Sequence, residues 1–368
     1  MTILDFKDYA QAETERVKKD LPKKKDGDVR FAFITDFHYK YITEMKTSIS
    51  NLVHAINELN KTDKIDFVCF GGDNVGNYPN SKEEHIDMMK DLASFVSDFD
   101  VPVFFVQGNH DENSIHGKLE DSDSVCRTGF EVPDELQYDI LFSAKSNVAN
   151  YHNGENKALY GYFDIPEANT RAIFLNSSDV PYIIEGDIMK YNQQFNFGFG
   201  GKQLEWLCKE ALMNAPENVI FIDHMPFDHV KFTPAPNEGA YNFDTLDKIT
   251  TAFAKGEKIN ISSDDPDFGY DITADFGGIK HNIPARISGH CHVDTTSTDK
   301  YGFFSITTMI AGRRNSGMGA GDNGIMYERE PYSATESSMD IFTFNSKDYT
   351  LSAVRYGSGE NRTFDIKK

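Results

Sequence analysis

VRFAFITDFH (29–38), IDFVCFGGD (65–73) and VPVFFVQGNHD (101–111) decide how this chain folds. Each begins as an apolar run and ends in a cluster of Gly, Asp, Asn or His. Unbroken apolar runs of this length are the mark of strands covered on both faces. Between them, Ile49, Leu52, Val53, Ile56 and Leu59 recur at helical spacing, and so do Ile86, Met89, Ala93, Val96 and Phe99. Ser81 and Glu84 make a capping box at the start of the second of these helices. Strand, helix, strand, helix, strand spells two βαβ units. Such units predict parallel pairing through right-handed crossovers.

Working outward, residues 5–20 read as a short, highly charged helix, and 1–28 as a solvated lead-in. Residues 112–157 are mostly polar and read as an inserted loop region with some helix. Strands resume at 158–163 and 171–175, a helix carries Leu204, Leu207, Cys208, Ala211 and Leu212, and NVIFID (218–223) is another buried strand. Residues 225–283, rich in Pro, Asn, Asp and Gly, read as a second insertion with a helical stretch near 244–255. Further strands are expected near 284–289, 303–308, 339–344 and 350–355. The expected organisation is one α/β domain over 29–368, decorated by two insertions.

The 368 residues carry 37 Lys and Arg against 58 Asp and Glu, a net charge of −21. Affinity for a polyanion comes largely from Lys and Arg releasing its counterions, so a nucleic-acid partner is disfavoured, and so is an anionic membrane surface. Disorder is also excluded, because 39% of residues are hydrophobic and 13% aromatic, enough for a large core. Cys69, Cys126, Cys208 and Cys291 are scattered, with no Cys-x-x-Cys pair. No apolar signal core opens the sequence and no stretch reaches transmembrane length. The expected location is the cytoplasm. Nothing in the sequence sets the oligomeric state.

The strand ends hold the chemistry. Asp36 and His38, Asp73, then Asn109, His110 and Asp111, then His224, then His290 and His292 each follow an apolar run. Ligands of open α/β sheets bind outside the carboxyl ends of the strands, so five strand ends deliver Asp, His and Asn to one rim. Asp36/His38 and His290/His292 are i, i+2 pairs, which project to one side of an extended chain. Carboxylate, imidazole and amide donors in this mixture suit Mn, Fe or Zn. A single histidine among these is more often a buried structural residue, but their joint placement points to metal.

In this order, D-x-H, GD, GNH followed by D, a lone H and G-H-x-H resemble the signature of the calcineurin-like metallophosphoesterases. The blocks span residues 36–292. The resemblance implies a four-layered α/β/β/α sandwich and two divalent or mixed-valence metal ions. It implies one ion on Asp36, His38, Asp73 and His292, and another on Asp73, Asn109, His224 and His290, with Asp73 as the bridge. His110 would protonate the leaving oxygen. The implied activity is hydrolysis of a small or medium phosphate mono- or diester, by in-line attack of a metal-bridging hydroxide. The alternatives are a catalytically silent metal-binding scaffold of the same fold, or a nuclease of the family; the acidity speaks against the nuclease.

The sequence departs from better-known relatives after the bridging Asp, where it continues Asn74-Val75-Gly76 in place of GDxxDRG or GDxxY. Position 76 often carries the group that orients the catalytic His; with Gly76 there, the candidates for that role are Asp111, Asn77 or another group, or else His110 is held less tightly. Arg313, Arg314 and Arg362 lie beside glycine-rich runs and are candidates for gripping a substrate phosphate. Phe227, Phe232, Tyr241 and Phe243 are candidates for stacking on a base or sugar, although burial is the commoner use of loop aromatics.

Overall fold

In the computed structural model, residues 3–76, 81–120, 122, 124–143, 148–227, 239–312 and 327–368 are described. The strands of the two main sheets are β1 (Asp28–Ile34), β2 (Phe67–Gly71), β3 (Val103–Val106), β4 (Tyr151–Asn153), β5 (Gly161–Ile165) and β6 (Thr170–Phe174). They continue with β7 (Asn218–Ile222), β8 (Arg286–Ser288), β9 (Thr295–Thr298), β10 (Phe304–Thr307), β11 (Ser338–Asn345), β12 (Thr350–Gly357) and β13 (Arg362–Phe364). The first sheet has the order β13-β12-β11-β1-β2-β3 and the second β9-β10-β8-β7-β6-β5-β4. Strands β1, β2 and β3 pair in parallel, as do β6, β7, β8 and β10.

The alternation of side chains explains why the runs are apolar throughout. Val29, Phe31, Phe33, Phe67, Cys69, Phe104 and Val106 face the second sheet, where Phe163, Phe174, Ile220 and Ile287 meet them. Ala32, Ile34, Val68, Phe70, Val103 and Phe105 point the other way. There they meet the helices α1 (Asp8–Asp20), α2 (Thr43–Thr62) and α3 (Lys82–Val96). The far face of the second sheet is covered by α4 (Gly201–Trp206), which runs on as a π-helical turn over Leu207–Ala211, and by α5 (Phe243–Lys255). Helix, sheet, sheet, helix gives the expected four layers. The inter-sheet core is strongly aromatic, with Phe31 stacked on Phe67 at 4.8 Å and Phe104 tilted on Phe174 at 4.9 Å.

Three local features differ from, or sharpen, the sequence reading. Ser81 caps the helix as expected, with Glu84 N donating to Ser81 Oγ at 3.1 Å and Ser81 Oγ donating to Glu84 Oε2 at 3.3 Å. Helix α1 is not a free lead-in, since Ala10, Thr14 and Val17 are buried and Gly357 N donates to Glu13. The second insertion holds, besides α5, an antiparallel hairpin of Lys258–Ser263 and Tyr270–Asp275. Among the described residues, no helix is long and apolar enough to cross a membrane.

Candidate metal centre

Asp36 and His38 follow β1, Asp73 follows β2 and His292 follows β8. All four are buried, and one donor atom from each lies within 4.8 Å of the others. His292 Nε2 stands 3.0 Å from Asp36 Oδ1 and 3.3 Å from His38 Nε2. His38 Nε2 is 3.7 Å from Asp73 Oδ2. A second convergence lies across Asp73. Asn109 Oδ1 is 3.1 Å from His224 Nε2 and 3.0 Å from His290 Nδ1, and Asp73 Oδ1 is 3.4 Å from His224 Nε2. Asp73 therefore shows one carboxylate oxygen to each group.

The backbone is bent to achieve this. Asp36, His38, Asp73, His290 and His292 have φ of 55°, 47°, 49°, 67° and 60°. Left-handed conformations are costly for residues with a Cβ and concentrate at functional sites. The loops also touch closely: a Cβ on Gly108 would fall 2.0 Å from Asp73 N. Thr35 Oγ1 and His290 N both donate to Asp36 Oδ2, at 2.7 and 3.0 Å. That leaves Oδ1 buried and without an aligned hydrogen-bond donor.

Electrostatics agree with a site built for cations. Burial would raise the pKa of Asp36 and Asp73, yet His292 and His224 hold them below the usual carboxylate range. Burial pushes His38 down to about 3 and His290 to about 4, so both rings are neutral and offer lone pairs. His224 resists burial; Asp73 and Asp36 carry it up to about 10. A metal ion seated there would displace that proton. Because His224 Nδ1 faces Gly71 O at 2.9 Å, its Nε2 is the nitrogen left for a metal. Buried carboxylate oxygens and converging imidazoles fit divalent metal ions.

The sequence model of the family described as calcineurin-like phosphoesterase matches residues 29–294. The chain belongs to that family. Among solved structures, a dimetal phosphatase from Danio rerio is similar at a TM-score of 0.53 and 15% identity, covering 92% of this chain and 99% of that one. An NAD nucleotidase of Haemophilus influenzae gives a TM-score of 0.40 at 10% identity, covering 92% of this chain. A 5'-nucleotidase of Candida albicans gives 0.38 at 12%, covering 78%. This chain spans 49% and 47% of those two. No curated protein matches the sequence.

In this phosphoesterase, His110 sits at the rim. Its N–H donates to Asp73 Oδ1 at 2.8 Å, and its ring lies edge-on to His38 with Nε2 3.9 Å from Asp73 Oδ2. Asp111 does not turn toward it. The Asp111 carboxylate accepts from Asn74 N, Asn74 Nδ2 and Gly108 N, each at 2.8 Å, and from Val75 N at 3.2 Å. It braces one loop against another, and the expected orienting role is not what its contacts show. Gly76 cannot be replaced by an orienting side chain either, since a Cβ there would lie 2.7 Å from His38 O. Asn77 lies outside the described residues.

Arg362, expected to grip phosphate, is held by ion pairs. One nitrogen lies 3.0 Å from Asp294 and another bonds Asp340, while buried Arg355 binds the same two carboxylates at 2.8–3.0 Å. Two buried Asp residues are stable only with such partners. These ion pairs draw the Arg362 head toward Asp294 and Asp340, while its Nε and Nη1 make no hydrogen bond among the described residues. Arg313, Arg314 and Phe232 lie outside the described residues. Phe227 and Phe243 are buried, and Tyr241 stacks on Phe268 at 3.9 Å.

Proposed function

We propose that the chain is a dinuclear metal-dependent phosphoesterase hydrolysing small phosphate mono- or diesters. The observation that carries this reading is the carboxylate of Asp73, with one oxygen in each of two donor groups. Asp36, His38, Asp73 and His292 would hold one ion, and Asp73, Asn109, His224 and His290 the other. Ions held there would lower the pKa of a shared water and offset the negative charge of a phosphate. His110, beside Asp73 and at the rim, is placed to give a proton to the leaving oxygen. Asp111 fixes the loop that carries Asn109 and His110. The zebrafish protein's description as a dimetal phosphatase supports the reading, as does a donor set complete at every position. Free thiols at Cys69, Cys126, Cys208 and Cys291 support a reducing compartment such as the cytoplasm.

The test is a screen of bis-aryl and mono-aryl phosphates with protein stripped by chelator and then resupplied with Mn²⁺, Fe²⁺ or Zn²⁺. Activity is expected to vanish on stripping and to return with metal. Metal at one hundred times its Kd should also stabilise the fold by about 2.7 kcal/mol, read as a higher Tm. A purified protein that keeps its ions after resupply, yet cleaves nothing, would instead be the silent metal-binding scaffold.

A further inference from the structure

His85 lies on α3, away from every motif, and is fully buried. Its Nε2 is 3.0 Å from the backbone oxygen of Asp111. Burial pushes the ring down to about 4, so it is neutral. A carbonyl only accepts, so Nε2 carries the proton and donates it to Asp111 O. Nδ1 then bears a lone pair, and among the described residues it has no hydrogen-bond partner.

The position of this bond gives it meaning. Asp111 follows His110 directly, and its side chain is already tied to Asn74, Val75 and Gly108. The His110 N–H is tied to Asp73. His85 fixes the next peptide, so the turn carrying Asn109 and His110 is pinned to β2's loop on one side and to α3 on the other. No side chain at position 76 can share the task, for the steric reason given above.

We propose that His85 is a positioning residue for His110, acting through the Asp111 carbonyl. The inference rests on the phosphoesterase reading and deepens it. Losing the bond leaves a buried carbonyl unsatisfied and lets the turn shift, which misplaces the proton donor more than it disturbs the metal groups.

The experiment compares His85→Leu, His85→Gln and His85→Asn, each with and without His110→Ala. Substrates are 4-nitrophenyl phosphate and an alkyl phosphate whose leaving group needs a proton. His85→Leu is expected to lower kcat on the alkyl ester about tenfold, with a smaller loss on the aryl ester and with KM and metal content unchanged. Gln places an amide N–H where Nε2 was and should restore most of the loss; Asn stops short and should not. If His85→Leu does not fold, His85→Asn serves as the impaired member. In the His110→Ala background the His85 changes should add nothing further. The proposal is overturned if the losses add in full, if Gln is as poor as Asn, or if activity falls only in step with bound metal. Wild-type rates in all three His85 variants, with His110→Ala impaired, would remove this inference alone. Wild-type rates in His110→Ala itself would remove the proton-donor reading beneath it.

Discussion

Replacing Asp73 with Asn is expected to lower kcat/KM by at least about a hundredfold and to leave the protein unable to hold its full metal content. The change keeps the shape of the side chain and the acceptor that meets His110 N at 2.8 Å. It removes a charge shared by two donor groups and turns one oxygen into an NH₂. With that acceptor kept as Oδ1, the NH₂ takes the place of Oδ2 and faces His38, where a cation is wanted. The fold should tolerate the change in the absence of metal. Losing Asp73's charge also removes the main attraction holding a proton on His224, so one buried charge is traded for the loss of its partner. The measurement pairs metal analysis with melting curves, with and without Mn²⁺. The stabilisation by metal should disappear while the metal-free Tm stays close to wild type. Full activity in this variant would sink the bridging assignment.

His110→Ala should behave in the opposite sense. Metal binding and its stabilisation should persist, because the seven proposed donor side chains are untouched. Turnover should fall by about 10²–10⁴ on alkyl phosphates, the usual contribution of a positioned proton donor. Aryl esters with acidic phenols leave without help and should lose far less. A plot of log kcat against leaving-group pKa should therefore steepen in the variant. Parallel lines for the two proteins would show that His110 does not deliver the proton.

Much of this centre was legible in the sequence, for a physical reason. Parallel strands covered on both faces must be apolar throughout, so FAFI and VCF stop abruptly where the chain turns to Asp36 and Asp73. The carboxyl ends of the strands are thereby marked by composition alone. What was not legible is direction. Asp111 and Arg362 have the right chemistry near the right motifs, but Asp111 points into a loop and Arg362 into Asp294 and Asp340. No spacing rule encodes that choice. The hairpin at 258–275 was hidden because only Ile259, Ile272 and Ala274 of its strands are buried, amid many polar residues. Helix α1 was read as solvated because its charges outnumber its inward stripe, and one inward residue, Glu13, is itself an acid. His85 had no signal at all: a lone helical histidine has the look of ordinary packing.

The seam between the sheets has a consequence for which distant substitutions reach the site. Asp36, His38, Asp73 and Asn109 ride on the first sheet, while His224, His290 and His292 ride on the second. Every donor group is thus assembled from two separate slabs, and what sets their alignment is the layer of phenylalanines between them. That layer works as a spacer of fixed gauge. A ring trimmed at Phe67 or Phe104, far below the rim, would let the slabs creep by a fraction of an ångström. The chain would still be folded, but its jaws would no longer close to the same width, and misplacement of about 1 Å is enough to cost a catalyst a hundredfold. Trimming such a buried ring, which costs about 3–5 kcal/mol, should therefore lower hydrolysis as well as the Tm.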